Sequence, residues 1–248
     1  MQNIDQTSYI HKHSKIKYNM KFLTIKKRTL CIILISIFLI CSILGICYAV
    51  QTTSSPKPEY SIVIDAGHGG RDGGAVGSSG VTESELNLLY AKRLASLCDD
   101  FGIGVTMTRS DMNGLYDESA SNKKKSEMER RKNIINSSGA DIMISIHMNS
   151  FPLSSSNGAY VFYAKGSNEG YSLAKSVQTS LCQSFDNARQ YVSVGDYFVL
   201  NYSTMPSVLV ECGFLSNPEE ETNLQSQEYC ERFCYSLLVG ILDYFQMS

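Results

Sequence analysis

The chain has 248 residues, 43% of them hydrophobic, enough for one sizeable core and a small appendage. Its net charge of -2 hides an asymmetry: residues 1–50 carry seven Lys/Arg and one acidic residue, the remainder fifteen and 23. An acidic main domain excludes nucleic acid as an expected partner, because that binding depends on Lys/Arg neutralising phosphates.

Residues 1–28 form a basic N-terminal segment ending in Lys26-Lys27-Arg28, expected on the cytoplasmic side. Residues 29–50 (TLCIILISIFLICSILGICYAV) are uncharged and long enough to span a bilayer as a helix, so the rest of the chain is expected outside. The run is long for a signal-peptide core, which favours a retained anchor over a cleaved signal. Met20 offers an alternative start with a shorter basic region. Residues 51–58 (QTTSSPKP) read as a linker, and 59–248 as one folded domain. Cys31, Cys41 and Cys47 lie in the apolar run. The other five, Cys98, Cys182, Cys212, Cys230 and Cys234, lack metal-type spacing and do not read as a disulfide framework; they are expected as packing residues.

Within the domain, strand and helix patterns alternate. A strand at 60–65 leads to a Gly-rich loop at 67–80 and a helix over 83–99. A strand at 103–108 precedes a polar loop, 111–125, that includes Lys123-Lys124-Lys125. A helix over 126–138 and a strand at 141–147 follow. Further strands are expected at 158–164, 197–200 and 207–211, with a helix around Leu173–Leu181, a loop at 184–196 and a closing helix over 228–246. This predicts a single α/β domain with a largely parallel, roughly six-stranded sheet and helices on both faces.

Only two histidines, His68 and His147, occur beyond residue 50, and each ends an apolar, β-branched run. The carboxyl ends of strands are where α/β sheets gather ligands. Zinc hydrolase sites use three His or carboxylate ligands and leave one position open. Glu83 is the best third ligand: Thr82 and Glu85 make a capping box, which leaves Glu83 in the first helical turn free to face the Gly-rich loop. Metal-assisted hydrolysis also wants a carboxylate base, and Glu211 supplies one at the end of Val208-Leu209-Val210. Asp65 is expected to hold the Gly loop rather than touch metal, and Cys212 to pack.

These residues resemble a known family. DAGHGGRDGGAVGSSGVTE (65–83), SIHMNS (145–150) and VLVECGFLSN (208–217) are similar, in order and spacing, to the zinc-dependent N-acetylmuramoyl-L-alanine amidases of the bacterial cell wall. The resemblance implies one zinc ion bound by His68, Glu83 and His147, with Glu211 as catalytic glutamate and peptidoglycan as substrate. Arg109, Arg131 and Asn149 fall on familiar positions and are carried as substrate-binding candidates; structural ion pairing is the other reading of the two arginines. A membrane segment joined to one such domain also resembles the sporulation amidases, which remove peptide stems so that muramic-δ-lactam can form in the spore cortex for germination. Such enzymes can require a regulatory or activating protein partner. Two other readings stay open at this stage: an amidase-fold binding module that works through a partner, and a vegetative cell-wall amidase. A metallocarboxypeptidase is disfavoured because neither histidine has H-x-x-E spacing, and the Gly-rich loop matches no nucleotide-binding pattern.

Overall fold

A computed structural model describes residues 26–52 and 58–246. The chain divides into two units, Met1–Ser55 and Pro56–Ser248. In the first, helix α1 runs over Lys27–Thr52, two residues beyond the expected apolar run. Its side chains are described only as far as Ser42, and among the described residues no helix is long and apolar enough to cross a membrane. The basic segment before Lys26 and most of the expected linker lie outside the described residues.

The second unit holds the elements β1 (Ser61–Ala66), α2 (Glu83–Asp100), β2 (Gly104–Met107), α3 (Lys123–Ser137), β3 (Ile142–Asn149) and β4 (Tyr160–Tyr163). They are followed by α4 (Asn168–Ser184), β5 (Ser193–Val194), the single turn α5 (Phe198–Asn201), β6 (Ser207–Phe214), α6 (Pro218–Leu224) and α7 (Gln227–Gln246). The six strands form one sheet in the order β2-β1-β3-β6-β4-β5. All neighbours run parallel except β4, which is antiparallel to β6. The expected α/β architecture is therefore present.

Strand periodicity of two sorts the side chains into two layers. Ile62, Ile64, Ile144, Ile146, Val208 and Val210 join the larger core with residues of α2, α4 and α7. Val63, Met143 and Leu209 face the other way and join a smaller core with Ile135 of α3 and Val199 and Leu200 of α5. By the same alternation Asp65, Ser145, His147 and Glu211 belong to this second face. They continue the smaller layer toward the carboxyl ends of β1, β3 and β6, where apolar packing gives way to polar groups.

Three expectations are corrected. The apolar stretch at 197–200 is a helical turn rather than a strand; a run that short carries no decisive period, and packing of Val199 and Leu200 settles it. The expected loop at 184–196 contains the two-residue edge strand β5. Lys123–Lys125 form the first turn of α3 instead of a loop, because Asn122 caps it by accepting the Lys125 N–H at 2.9 Å. Cys98, Cys212, Cys230 and Cys234 are buried free thiols, as packing residues should be.

Candidate metal centre

The site begins where β1 ends. Gly67 leads into His68, whose φ of 60° is the sole positive value at a non-glycine among the described residues. Such a backbone is costly for an L side chain and persists only when its surroundings hold it. Two buried arginines do so. Arg109 donates from Nε to the Ala66 carbonyl at 3.0 Å and from a terminal nitrogen to Gly67 at 2.9 Å. Arg131 donates to Ala66 at 2.8 Å and to the His68 carbonyl at 2.9 Å. Three successive carbonyls are thus gripped from behind, and the imidazole is presented from the loop.

Arg131 is itself held by a buried ion pair with Asp65 and another with Glu127 at 3.0 Å. Asp65 also accepts from Thr108 and Ser145, each at 2.7 Å. Burial acts to raise the Asp65 pKa, but Arg131 and the two hydroxyls hold it below its ordinary value. Asp65 therefore secures the loop, as its position predicts.

His68, Glu83 and His147 converge. Glu83 Oε1 lies 3.1 Å from His68 Nε2 and 2.8 Å from His147 Nδ1. One ligand atom from each of the three falls within 4.8 Å of the others. The capping box of α2 forms as expected, with Thr82 and Glu85 bonded reciprocally. Glu83, one residue inside the helix, is fixed by the Ala75 N–H on Oε2 at 2.9 Å and by Asn87 behind Oε1 at 3.4 Å. Burial pushes its carboxyl up, yet His147 and His68 bring it far below the usual carboxylate range. Burial likewise lowers the His68 pKa, but Glu83 and then Asp72 raise it above the ordinary value.

The chain around this trio fits a metal ion. Two nitrogens and one carboxylate oxygen at a common point form a donor set suited to zinc. Glycines keep the space clear: a Cβ on Gly67 would stand 2.3 Å from the His147 ring, and one on Gly74 2.5 Å from Glu83 Oε2. Larger residues at either position would displace a member of the trio.

Glu211 is the register partner of His147 across the β3–β6 ladder, on the same face of the sheet. It is 8% exposed, and its Oε2 has no hydrogen-bond partner. Burial pushes its pKa up to about 7, with His147 pulling down and Glu83 pushing up. A buried carboxylate with a free oxygen is expensive to keep, and such perturbed groups cluster where chemistry happens.

The remaining sequence candidates lie elsewhere. Arg109 and Arg131 are 4% and 1% exposed, with terminal nitrogens committed to backbone carbonyls and carboxylates, so their guanidinium groups do not face solvent. Asn149 ends β3, half-buried, with its side-chain oxygen accepting from the Ser150 N–H at 2.8 Å. Two residues at the site were not anticipated from the sequence. Asp72 stands beside His68 at 3.0 Å, and Asn87 links Glu83 to the Gly67 carbonyl at 3.1 Å. Asn87 falls at i+4 from Glu83, a helical spacing that could have flagged it.

A His–Glu–His donor set with a buried glutamate in register beside it is the equipment of a mononuclear metallohydrolase. Comparison with known proteins makes the class specific. Residues 62–243 match the N-acetylmuramoyl-L-alanine amidase family (Amidase_3), and the chain belongs to it. It is 36% identical over 196 residues to the germination-specific N-acetylmuramoyl-L-alanine amidase of Bacillus subtilis, covering 77% of this chain and 82% of that one. The CwlD amidase of Clostridioides difficile, solved in complex with the GerS lipoprotein, superposes with a TM-score of 0.74 at 34% identity, covering 77% of this chain and all of that one. The catalytic domain of CwlV from Bacillus (Paenibacillus) polymyxa gives 0.67 at 30% identity, covering 76% and 99%. The protein is an amidase of this family, similar to the CwlD type, with peptidoglycan amidase activity.

Proposed function

We propose that the domain hydrolyses the amide between N-acetylmuramic acid and the L-alanine of the stem peptide, using one zinc ion held by His68, Glu83 and His147 and Glu211 as proton carrier. The carrying observation is the register pairing of His147 with a buried glutamate whose Oε2 is unpartnered. When bound, zinc would polarise the scissile carbonyl and acidify a water. Glu211 Oε2 takes a proton from the attacking water as its oxygen bonds to the carbonyl carbon. As the C–N bond breaks, the same oxygen returns that proton to the departing α-amine. Burial pushes the Glu211 carboxyl above the ordinary carboxylate range, the direction that suits a group that must both accept and donate a proton. Arg109 and Arg131 serve by holding the His68 loop, and Asn149 remains the candidate for substrate contact, at the rim of β3.

The biological setting follows the relatives. Similarity to a germination-specific amidase and to CwlD supports a role in spore-cortex maturation, where stem removal precedes muramic-δ-lactam formation. The uncharged run at 29–50 behind Lys26-Lys27-Arg28 supports export, with the segment retained as an anchor and the domain, 59–248, on the outer face of the membrane or in the space around the forespore. Because the CwlD structure contains a lipoprotein, a protein partner for this chain is part of the proposal.

Mass spectrometry of muropeptides after digestion with the purified protein tests the activity. Free stem peptides beginning with L-alanine should appear with zinc and disappear with chelator. Cleavage within the stem, or undiminished cleavage in chelator, would remove this reading.

A further inference from the structure

The Gly-rich loop carries an acidic residue that neither the proton transfer nor the donor trio uses. Asp72 lies four residues after His68, and its Oδ1 is 3.0 Å from His68 Nδ1, the ring nitrogen opposite the one facing Glu83. That Nδ1 is shielded from solvent and has no other partner; its approach to Asp72 is close but off the line of the ring N–H.

Closure of the Gly69–Asp72 turn does not need the carboxylate. The turn is closed by main chain alone: the Asp72 N–H donates to the Gly69 carbonyl at 3.1 Å, and the Gly69 N–H returns to Asp72 at 2.9 Å. The side chain is held separately, with the Gly74 N–H on Oδ1 at 3.2 Å and Lys124, from the first turn of α3, paired with Oδ2. This arrangement keeps one oxygen 3.0 Å from the imidazole Nδ1. A histidine that ligates a metal through one nitrogen needs its other nitrogen protonated, and a carboxylate at that position fixes both tautomer and ring orientation.

We propose that Asp72 is a positioning residue for His68, holding the imidazole with Nδ1 protonated and Nε2 free for the metal, and is itself held by Lys124. The proposal rests on the zinc reading above. It gives the Lys123–Lys125 run, otherwise a solvated helix start, one member with a task. Through Lys124 it ties α3, which also supplies Arg131 and Glu127, to the front of the metal loop as well as to its back.

Zinc affinity is measured by competition with a chromophoric chelator on the full chain in detergent, for wild type, D72A, D72N and H68A. D72A is expected to bind roughly 10- to 100-fold more weakly than wild type. D72N should fall between, because its amide oxygen still accepts an N–H but carries no charge. Thermal melts of the metal-free variants should fall only slightly below wild type, since an exposed ion pair and one hydrogen bond are lost while the main-chain turn is untouched. The zinc-loaded wild type should show a downfield, slowly exchanging His68 Nδ1–H proton resonance that D72A lacks. Should D72A fail to fold, D72N carries the comparison. Wild-type affinity in both Asp72 variants overturns the assignment of Asp72 and leaves the zinc site standing. Zinc binding by wild type no tighter than by H68A removes the zinc site itself.

Discussion

His147 and Glu211 face each other in register on adjacent parallel strands, one a member of the converging His–Glu–His trio and the other a buried acid with an unpartnered oxygen. Neighbouring strands lie about 4.8 Å apart, so the ladder itself sets the offset between the candidate metal site and the proposed proton carrier. No flexible loop intervenes. Sites built on strands hold their geometry better than sites built on loops, and proton transfer is sensitive to that geometry.

The first expectation concerns that pair. Glu211→Gln keeps the shape and removes the proton acceptor. Turnover of peptidoglycan should fall by roughly 10²–10⁴, the usual worth of a positioned acid–base. Zinc stoichiometry should be unchanged, because Glu211 is not among the three converging donors. Retained cleavage with bound zinc would take Glu211 out of the mechanism.

Glu211 should also leave a signature in stability. Its folded pKa, about 7, lies above the ordinary 4.5. A carboxyl raised in this way holds its proton in the native state while the unfolded chain loses it, so its contribution is fully present below 4.5 and is lost as pH rises through 7. In the chelator-treated protein, the stability of Glu211→Gln relative to wild type should therefore grow between pH 5 and pH 8. The growth is at most about 3 kcal/mol, from 1.36 kcal/mol per pKa unit. Denaturant melts at the two pH values measure it, and a pH-independent difference would mean that Glu211 is not raised.

The glycines make a third test. Gly67 has no left-handed φ, so alanine is acceptable to its backbone, yet the added Cβ would sit 2.3 Å from the His147 ring. Gly67→Ala should leave the far-UV circular dichroism intact and weaken zinc binding at least tenfold by pushing His147 out of the trio. A variant that binds zinc normally would show that His147 tolerates displacement.

Much of this was legible because each key residue lies beside or within an element with a readable pattern. β-Branched runs led into His68, His147 and Glu211, although β1 stops at Ala66 and β3 and β6 continue to Asn149 and Phe214, and the Thr82–Glu85 box placed Glu83 in the first turn of α2. What escaped depends on contacts distant in sequence. For Arg109 and Arg131 a structural role could be named from the sequence but its partners could not, since these, at positions 65–68, lie roughly forty to sixty-six residues away. The antiparallel course of β4 and the edge strand β5 depend on pairing with the rest of the sheet, which a four- or two-residue run does not announce. Asp72 sits within the Gly-rich motif, but only the positive φ of His68 and the Gly69–Asp72 turn bring its carboxylate back to the ring.

The arginine behind the loop gives the last expectation. Arg131 is the largest fully buried side chain among the described residues, and it neutralises Asp65 while pairing with Glu127. Removing one partner of a buried ion pair leaves an uncompensated charge, at a cost of roughly 3–5 kcal/mol. Arg131→Ala should destabilise the domain by that order and release the carbonyls of Ala66 and His68. Arg131→Lys keeps the charge but has no planar fork to reach Asp65, Ala66 and His68 together. It should therefore recover much of the stability and little of the zinc affinity. If lysine restored both in full, Arg131 would matter only as a charge, and the hold on the His68 loop would have to come from Arg109 alone.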